Sequence, residues 1–185
     1  MAQIILTNGA AAATPAAGAI SVYSKTADKR LYYKDDTGVE QGPLGSAGSV
    51  TDKARGFMTA AFTTGTGPVK VPIDTVSFDT NGLVDLTNTR ITPKKAGYYS
   101  ISYRASVTGT AAGQRAFPMC YKNGAEVARG VDSTISTVSP IGAGGSDIQY
   151  FNGTTDYAEL WIYTSTPLAL ESFSYTSFLA LVGPL

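Results

Sequence analysis

Three observations predict an all-β fold for this 185-residue chain. From Gly56 onward, apolar residues recur with a period of two rather than 3.6. Turn formers interrupt that pattern at Asn81-Gly82, Pro93 to Gly97, Gly109 to Gly113, Asn123-Gly124, Gly142 to Gly145 and Asn152-Gly153, the short spacing of an all-β domain. No internal repeat is long enough to build a solenoid or propeller. Stacking two sheets buries alternating apolar faces around one core, and closing them as a jelly roll deals with the strand edges. The expected architecture is therefore a jelly-roll sandwich with an extended N-terminal arm and a small β-hairpin. The division falls near residue 50, giving an arm, hairpin and linker over residues 1–49 and one domain over residues 50–185.

The arm opens on Ile4, Ile5 and Leu6, which suit a strand added to another protein. Residues 8–19 combine small side chains with turn formers and offer too little volume for a core, so a flexible or conforming segment is expected. Ile20 to Ser24 and Arg30 to Lys34 flank a polar turn containing Asp28, and Asp35 to Gly38 makes another reversal. A lone hairpin is marginal in water, so Tyr23, Tyr32 and Tyr33 need a covering surface, either a partner or the chain's own large domain. With Leu31, these tyrosines join Ile4, Ile5 and Leu6 as anchoring candidates. The charges of Lys25, Lys29, Arg30, Asp35 and Asp36 either select register or sit in solvated turns. Gln41 to Ser49 reads as a linker.

In the domain, Tyr99, Ile101, Tyr103, Ala105 and Val107 form one face of a strand, with Ser100, Ser102, Arg104 and Ser106 on the other. Farther on, Ala158, Leu160 and Ile162 alternate with Tyr157, Glu159, Trp161 and Tyr163, an aliphatic face backed by an aromatic one. A last strand over Phe173 to Val182 is apolar on both faces and suits a central position or a subunit interface. Tyr99, Tyr103, Trp161, Tyr163, Tyr175 and Phe178 are the candidates for core or intersubunit contact. Alternation identifies burial without identifying whose atoms supply it.

Formal neutrality and a 15% charged fraction exclude a strongly basic nucleic-acid binder. Charge is unevenly spread, because residues 89–129 carry seven basic side chains against Glu126, whereas residues 131–185 carry five acids and no Lys or Arg. Either neighbouring copies complement one another or the chain balances its own surface. Zero histidines and one cysteine remove imidazole zinc sites, His acid-base chemistry and intrachain disulfides. The start, Met1 to Leu6, lacks the basic region and long apolar run of a signal peptide, and no segment reaches a transmembrane length, so manufacture inside a cell without membrane insertion is expected.

The run Phe78-Asp79, Leu83-Val84-Asp85, Arg90-Ile91-Thr92-Pro93 and Ala96-Gly97-Tyr98-Tyr99-Ser100-Ile101-Ser102 carries a resemblance, continued by Tyr121-Lys122-Asn123-Gly124, Asp156 to Trp161 and Ser174 to Leu179. Residues 57–182 resemble the trimeric tumour-necrosis-factor-like and complement-globular-head-like jelly-roll superfamily; Thr155-Asp156 stands where Gly-Asp is more usual. Residues 14–44, through Thr14-Pro15, Lys29 to Lys34 and Asp36-Thr37-Gly38, resemble a short attachment segment near the N-termini of bacteriophage fibre and other virion proteins. Together the resemblances imply a non-enzymatic homotrimer, a capsid decoration protein or short head fibre. Its arm would engage a capsid or other virion protein, placing it on the virion surface after assembly in the host cytoplasm. The alternative is a tail-fibre or receptor-binding knob recognising a host protein or glycan through the loops at Thr110 to Gln114 and Ser133 to Ser146.

Catalysis has little to stand on. Asp74, Asp79, Asp85, Asp132, Asp147 and Asp156 are scattered, Lys122 and Cys120 have no indicated activating base, and Cys120 sits among apolar neighbours. No EF-hand spacing and no nucleotide loop is present, since Gly142 to Gly145 lacks the Gly-Lys-Ser/Thr ending. No catalytic residue, cofactor or metal is expected, although some members of the resembled superfamily bind calcium.

Overall fold

The computed structural model describes residues 7–9, 13–25, 30–44, 51–136 and 140–185, with backbone alone at 7–9, 43 and 44. Ile4, Ile5, Leu6, Asp28 and Lys29 lie outside the described residues. Two compact units divide the chain, residues 1–50 and residues 51–185.

The first unit is a four-stranded sheet of β1 (Thr7–Gly9), β2 (Ser21–Lys25), β3 (Leu31–Lys34) and β4 (Glu40–Leu44), in that order. The expected hairpin is β2–β3, with Tyr23 opposite Tyr32 and Val22 opposite Tyr33. Strands flank it on both sides. β1 runs parallel to β2 and overlaps the first residues of the stretch expected to be flexible or conforming, and β4 replaces the linker expected at Gln41 to Leu44. The Asp35 turn explains that correction. Its carboxylate accepts from the Thr37 and Val39 N–H groups at 3.1 and 3.0 Å and Gly38 takes a φ of +85°, which returns the chain antiparallel to β3.

The second unit contains β5 (Asp52–Phe57), β6 (Phe62–Thr63), β7 (Gly67–Lys70), β8 (Thr75–Asp79), β9 (Val84–Asp85), β10 (Arg90–Ile91) and β11 (Ala96–Thr108). It continues with β12 (Arg115–Lys122), β13 (Ala125–Arg129), β14 (Ser133–Thr134), β15 (Pro140–Asn152), β16 (Ala158–Thr164), β17 (Ala169–Leu170) and β18 (Phe178–Gly183). One sheet has the order β6–β17–β11–β18–β5–β8, with β15 on the other edge of β11. The second has the order β13–β12–β16–β10–β9, with β14 on β12 and β7 on β16. All pairings in this unit are antiparallel, and the two sheets enclose one core. The fold is an all-β jelly-roll sandwich.

Tyr99, Ile101, Tyr103, Ala105 and Val107 of β11 enter that core as their alternation predicts, facing Cys120, Ala158, Leu160 and Ile162 of the other sheet. The Tyr99 ring meets Phe151 edge-on at 5.6 Å. Its hydroxyl donates to Asp52 at 3.2 Å and to the Lys95 carbonyl at 3.1 Å. Asp52 is fully buried and also receives Asn81 and Lys95, so the first strand of the unit is tied to the start of β11. Here Ala96-Gly97-Tyr98-Tyr99 has a physical reading: Gly97, at φ +150°, leaves room for Pro184, and Leu185 N–H donates to the Tyr98 carbonyl.

Two strand boundaries are corrected. Gly142 to Gly145 forms no turn but runs inside β15, paired along its whole length with β11. The glycines provide clearance, not reversal: a Cβ at Gly145 would stand 2.6 Å from Cζ of Tyr103, and one at Gly142 2.6 Å from an Arg104 guanidinium nitrogen. The last strand begins at Phe178, not Phe173, because Thr176 folds residues 173–177 into a turn by accepting the Phe173 N–H at 3.0 Å and donating to the Glu171 carbonyl at 2.8 Å.

Gly145→Ala is expected to lower unfolding free energy by about 1–3 kcal/mol in a denaturant titration, because the added Cβ would force the buried Tyr103 ring to shift within a packed core. Burial, with the Asp52 charge second, pushes the Tyr99 hydroxyl up to about 12, and burial does the same for Tyr103. Both folded values lie above the ordinary 10, so their stabilisation is complete below pH 10 and is lost as pH rises toward 12. Denaturant midpoints measured across that window should fall, and fall less in Tyr99→Phe.

Candidate interaction faces

The outward faces of the two sheets differ in kind. On β12 and β16, Phe117 stacks on Tyr163 at 4.8 Å and Tyr121 on Trp161 at 4.5 Å, while Met119, opposite Trp161, is buried. Arg115 and Arg129 lie over the Phe117 ring at 5.7 and 4.7 Å and pair with Asp132 and Glu126 respectively. Lys70 pairs with Glu159 at 2.6 Å, and Glu159 accepts the Trp161 indole N–H at 3.0 Å. This face covers its own aromatics and neutralises its own cations.

The other sheet leaves its outward face open. The even positions of β11 carry Tyr98, Ser100, Ser102 and Arg104 across from Tyr150, Ile148, Ser146 and Gly144 of β15. On the other side, Ser100, Ser102 and Arg104 meet Val182, Ala180 and Phe178 of β18, which in turn meet Lys53, Arg55 and Phe57 of β5. Phe78 of β8 stands opposite Arg55. Tyr98 is 59% exposed, Ile148 58%, Tyr150 46% and Phe78 43%, so large apolar side chains face water together on one surface. Tyr98 and Tyr150 pack edge-on at 5.5 Å, and the Arg55 guanidinium lies over the Phe178 ring at 4.4 Å.

The six aromatic candidates separate on this geometry. Tyr99 and Tyr103 are core; Trp161 and Tyr163 belong to the self-covered face; Phe178 belongs to the open face. Tyr175 is exposed in the turn before β18, stacked on Phe173 at 5.6 Å. Sequence reasoning missed Tyr98, Ile148, Tyr150 and Phe78 as contact residues, while Val182 lies in the last strand expected to suit a central position or a subunit interface. The available signal was the Ile148-Gln149-Tyr150 alternation, hidden once the preceding glycines were taken for a turn. That same misreading assigned Ser133 to Ser146 to a receptor loop; Ser133 and Thr134 are paired in β14, and residues 140–146 run in β15.

In the first unit the hairpin tyrosines also divide by face. Tyr23 is buried, stacks on Tyr32 at 6.2 Å and donates to Glu40, which also takes Lys25. Lys25 and Tyr23 hydrogen bonds hold the Glu40 carboxyl below its usual value. The opposite face carries Val22, Leu31 and Tyr33, with Ile20 and Val39 at its end, and Ile20, Leu31 and Val39 are exposed. Within residues 14–44, the Gly18 N–H donates to Asp36 at 2.6 Å, and Thr14 packs where a Gly38 Cβ would stand. Of the anchoring candidates, Leu31 and Tyr33 share the open face, while Tyr23 and Tyr32 close the other.

The acidic residues are occupied by structural work. Asp74 accepts from the N–H groups of Thr59 and Ala60, and Asp79 from those of Leu83 and Val84. Asp85, Asp132 and Asp156 pair with Arg90, Arg115 and Lys122. Burial pushes the Cys120 thiol up to about 12, far from a thiolate at neutral pH. Among the described residues, no group of three His, Cys, Asp or Glu side chains is placed to hold a metal ion.

No protein-family profile and no curated protein sequence matches the chain. Among solved structures it is similar to murine APRIL at pH 5.0, with a TM-score of 0.54 and 9% identity over 71% of this chain and 98% of that one. It is likewise similar to Eiger TNF from S. frugiperda, with a TM-score of 0.53 and 8% identity over 73% of this chain and 93% of that one. The fold is a tumour-necrosis-factor-like jelly roll. The globular domain of zebrafish complement 1qA gives a TM-score of 0.49 at 12% identity, over 70% of this chain and 94% of that one.

Proposed function

We propose that the chain is a non-enzymatic bacteriophage virion protein, a homotrimeric capsid decoration protein or short head fibre anchored by its first unit. The observation that carries the assembly half is the open sheet face: Tyr98, Ile148, Tyr150, Val182 and Phe78 are too concentrated on one surface to be scattered exposed apolar residues. A second copy supplies the cover such a face requires. The anchoring half is supported by the resemblance of residues 14–44 to virion attachment segments and by the open face at Ile20, Leu31 and Val39. Three tethered arms raise the effective concentration of each later contact on a repeating capsid surface, so weak individual contacts suffice.

The two halves are separable by substitution. Ile148→Asp, at an exposed position pointing away from the core, is expected to leave the melting temperature within a few degrees and convert the trimer to monomer in sedimentation velocity. Ile20→Asp with Val39→Asp should leave the trimer mass unchanged and abolish co-sedimentation with purified capsids. Capsid binding that survives this pair would remove the anchoring role from the open face of the first unit. Specific, saturable binding to host cells without capsid occupancy would instead support a receptor-binding knob.

A further inference from the structure

We propose that the second unit carries a binding site for a neutral saccharide at the end opposite its first residue, with the rings of Phe173 and Tyr175 as the stacking surface. The site stands on a loop and does not depend on what covers the open sheet face. β5 runs from Asp52 to Phe57, and β18 begins at Phe178 opposite Phe57, so residues 171–177 lie at the far end from Thr51. There Phe173 is 52% exposed and Tyr175 66%. Their planes are within 5° of parallel and their centres 5.6 Å apart. Two large rings with this much surface in water leave aromatic faces and edges free for a ligand.

The loop is fixed from beneath, without help from burial of its rings. Thr176 Oγ1 accepts the Phe173 N–H at 3.0 Å and donates to the Glu171 carbonyl at 2.8 Å, and Ser177 Oγ donates to the same carbonyl at 2.9 Å. Arg55 donates to the Ser174 carbonyl, and the Met58 N–H to the Ser177 carbonyl at 3.1 Å, which ties the loop to β5 at two points. A ligand therefore meets a backbone that is already ordered, which lowers the entropic cost of binding.

Charge selects the class of ligand. Loops 58–61, 109–114, 165–168 and 172–177 gather at this end, where Gln114 donates to Thr166 at 3.0 Å and the Glu171 N–H to the Ser106 carbonyl at 2.9 Å. None of these loops contains Lys, Arg, Asp or Glu. The other end differs, since it gathers the Lys95–Asp52 and Lys122–Asp156 ion pairs. The charges nearest the rings are engaged within the chain: Glu171 by Thr108, Asp74 by the Thr59 and Ala60 N–H groups, and Arg55 by Ser174. A protein partner brings charged side chains, and an acidic glycan brings carboxylates or sulfates, for which these loops supply no counter-charge. A neutral pyranose brings none. Its C–H face packs on an aromatic ring, and its hydroxyls exchange hydrogen bonds with the hydroxyls of Ser172, Ser174 and Tyr175 in the same loop. The Thr110 to Gln114 loop, considered from the sequence for receptor contact, stands at this end, but the rings come from a segment that the sequence reading placed inside the last strand.

The test uses the full chain and neutral trisaccharides of glucose, galactose, mannose and N-acetylglucosamine, with contacts read by saturation-transfer NMR and dissociation constants by titration. At least one should bind saturably, with the transfer strongest at pyranose C–H protons. Phe173→Ser and Tyr175→Ser should each weaken that binding about tenfold. Melting temperature and assembled mass should stay unchanged, because both rings are exposed. No binding across the set, or binding retained in both variants, overturns the inference. Binding confined to acidic saccharides and lost in Arg55→Gln would assign the site to anions and overturn it too. A fall in assembled mass in the ring variants, with no saccharide bound by the parent chain, would give the rings to a protein contact instead. The capsid reading fails separately: a chain that binds a saccharide through these rings and does not co-sediment with capsids removes the anchoring role and leaves this site standing.

Discussion

A strand has two faces, and a two-layer sandwich covers one of them; what happens to the other decides how this protein behaves in water. β11 shows the constraint most clearly. Its odd residues from Tyr99 to Val107 build the core, while its even residues hold Tyr98 and Arg104 in solvent beside Ile148 and Tyr150. The companion sheet meets the same constraint internally, by stacking aromatic rings in pairs and covering their flank with Arg115 and Arg129. One surface is covered by its own chain and the other is left open to water. That asymmetry, more than any single residue, is what the proposed role in assembly rests on.

The open face is also held in one register, and the backbone devices at its margins do this. Gly142, Gly144 and Gly145 let β15 lie close over Arg104 and Tyr103 for thirteen residues, so β15 forms a long, continuous edge. At one end of β11, the buried Asp52 gathers Tyr99, Lys95 and Asn81 and fixes β5 relative to β11. At the other end of β18, Arg55 is braced by Ser174 and Phe178. Fully satisfied buried polar groups of this kind specify one arrangement and resist register slip. A surface with a fixed register can repeat from copy to copy.

Much of this was legible in the sequence, and the exceptions have physical causes. The core alternation of β11 and β16 was readable because only one side chain in two can be apolar when a strand faces solvent on its other side. The Ala96-Gly97-Tyr98-Tyr99 signature was recognisable before its cause, the close approach of Pro184, was known. The Gly142 to Gly145 run misled because glycine marks turns and tight strand packing alike, and sequence alone does not show which neighbour crowds it. Tyr98 escaped attention because an aromatic beside a core tyrosine looks redundant until alternation assigns it to water. In the first unit, the tyrosines are the conspicuous residues of the sequence, while Val22 is placed beside Tyr33 and on the face of Leu31 only by the β2–β3 register, with the exposed Ile20 and Val39 just outside the paired segments.

The account stands or falls on whether identical copies cover the open face of the long-strand sheet. Absolute mass by light scattering across a concentration series of the full chain addresses this directly. The account predicts three times the 19.2 kDa chain mass, maintained on dilution. A mass of 19.2 kDa at every concentration would contradict it and leave the exposed apolar face to a different partner.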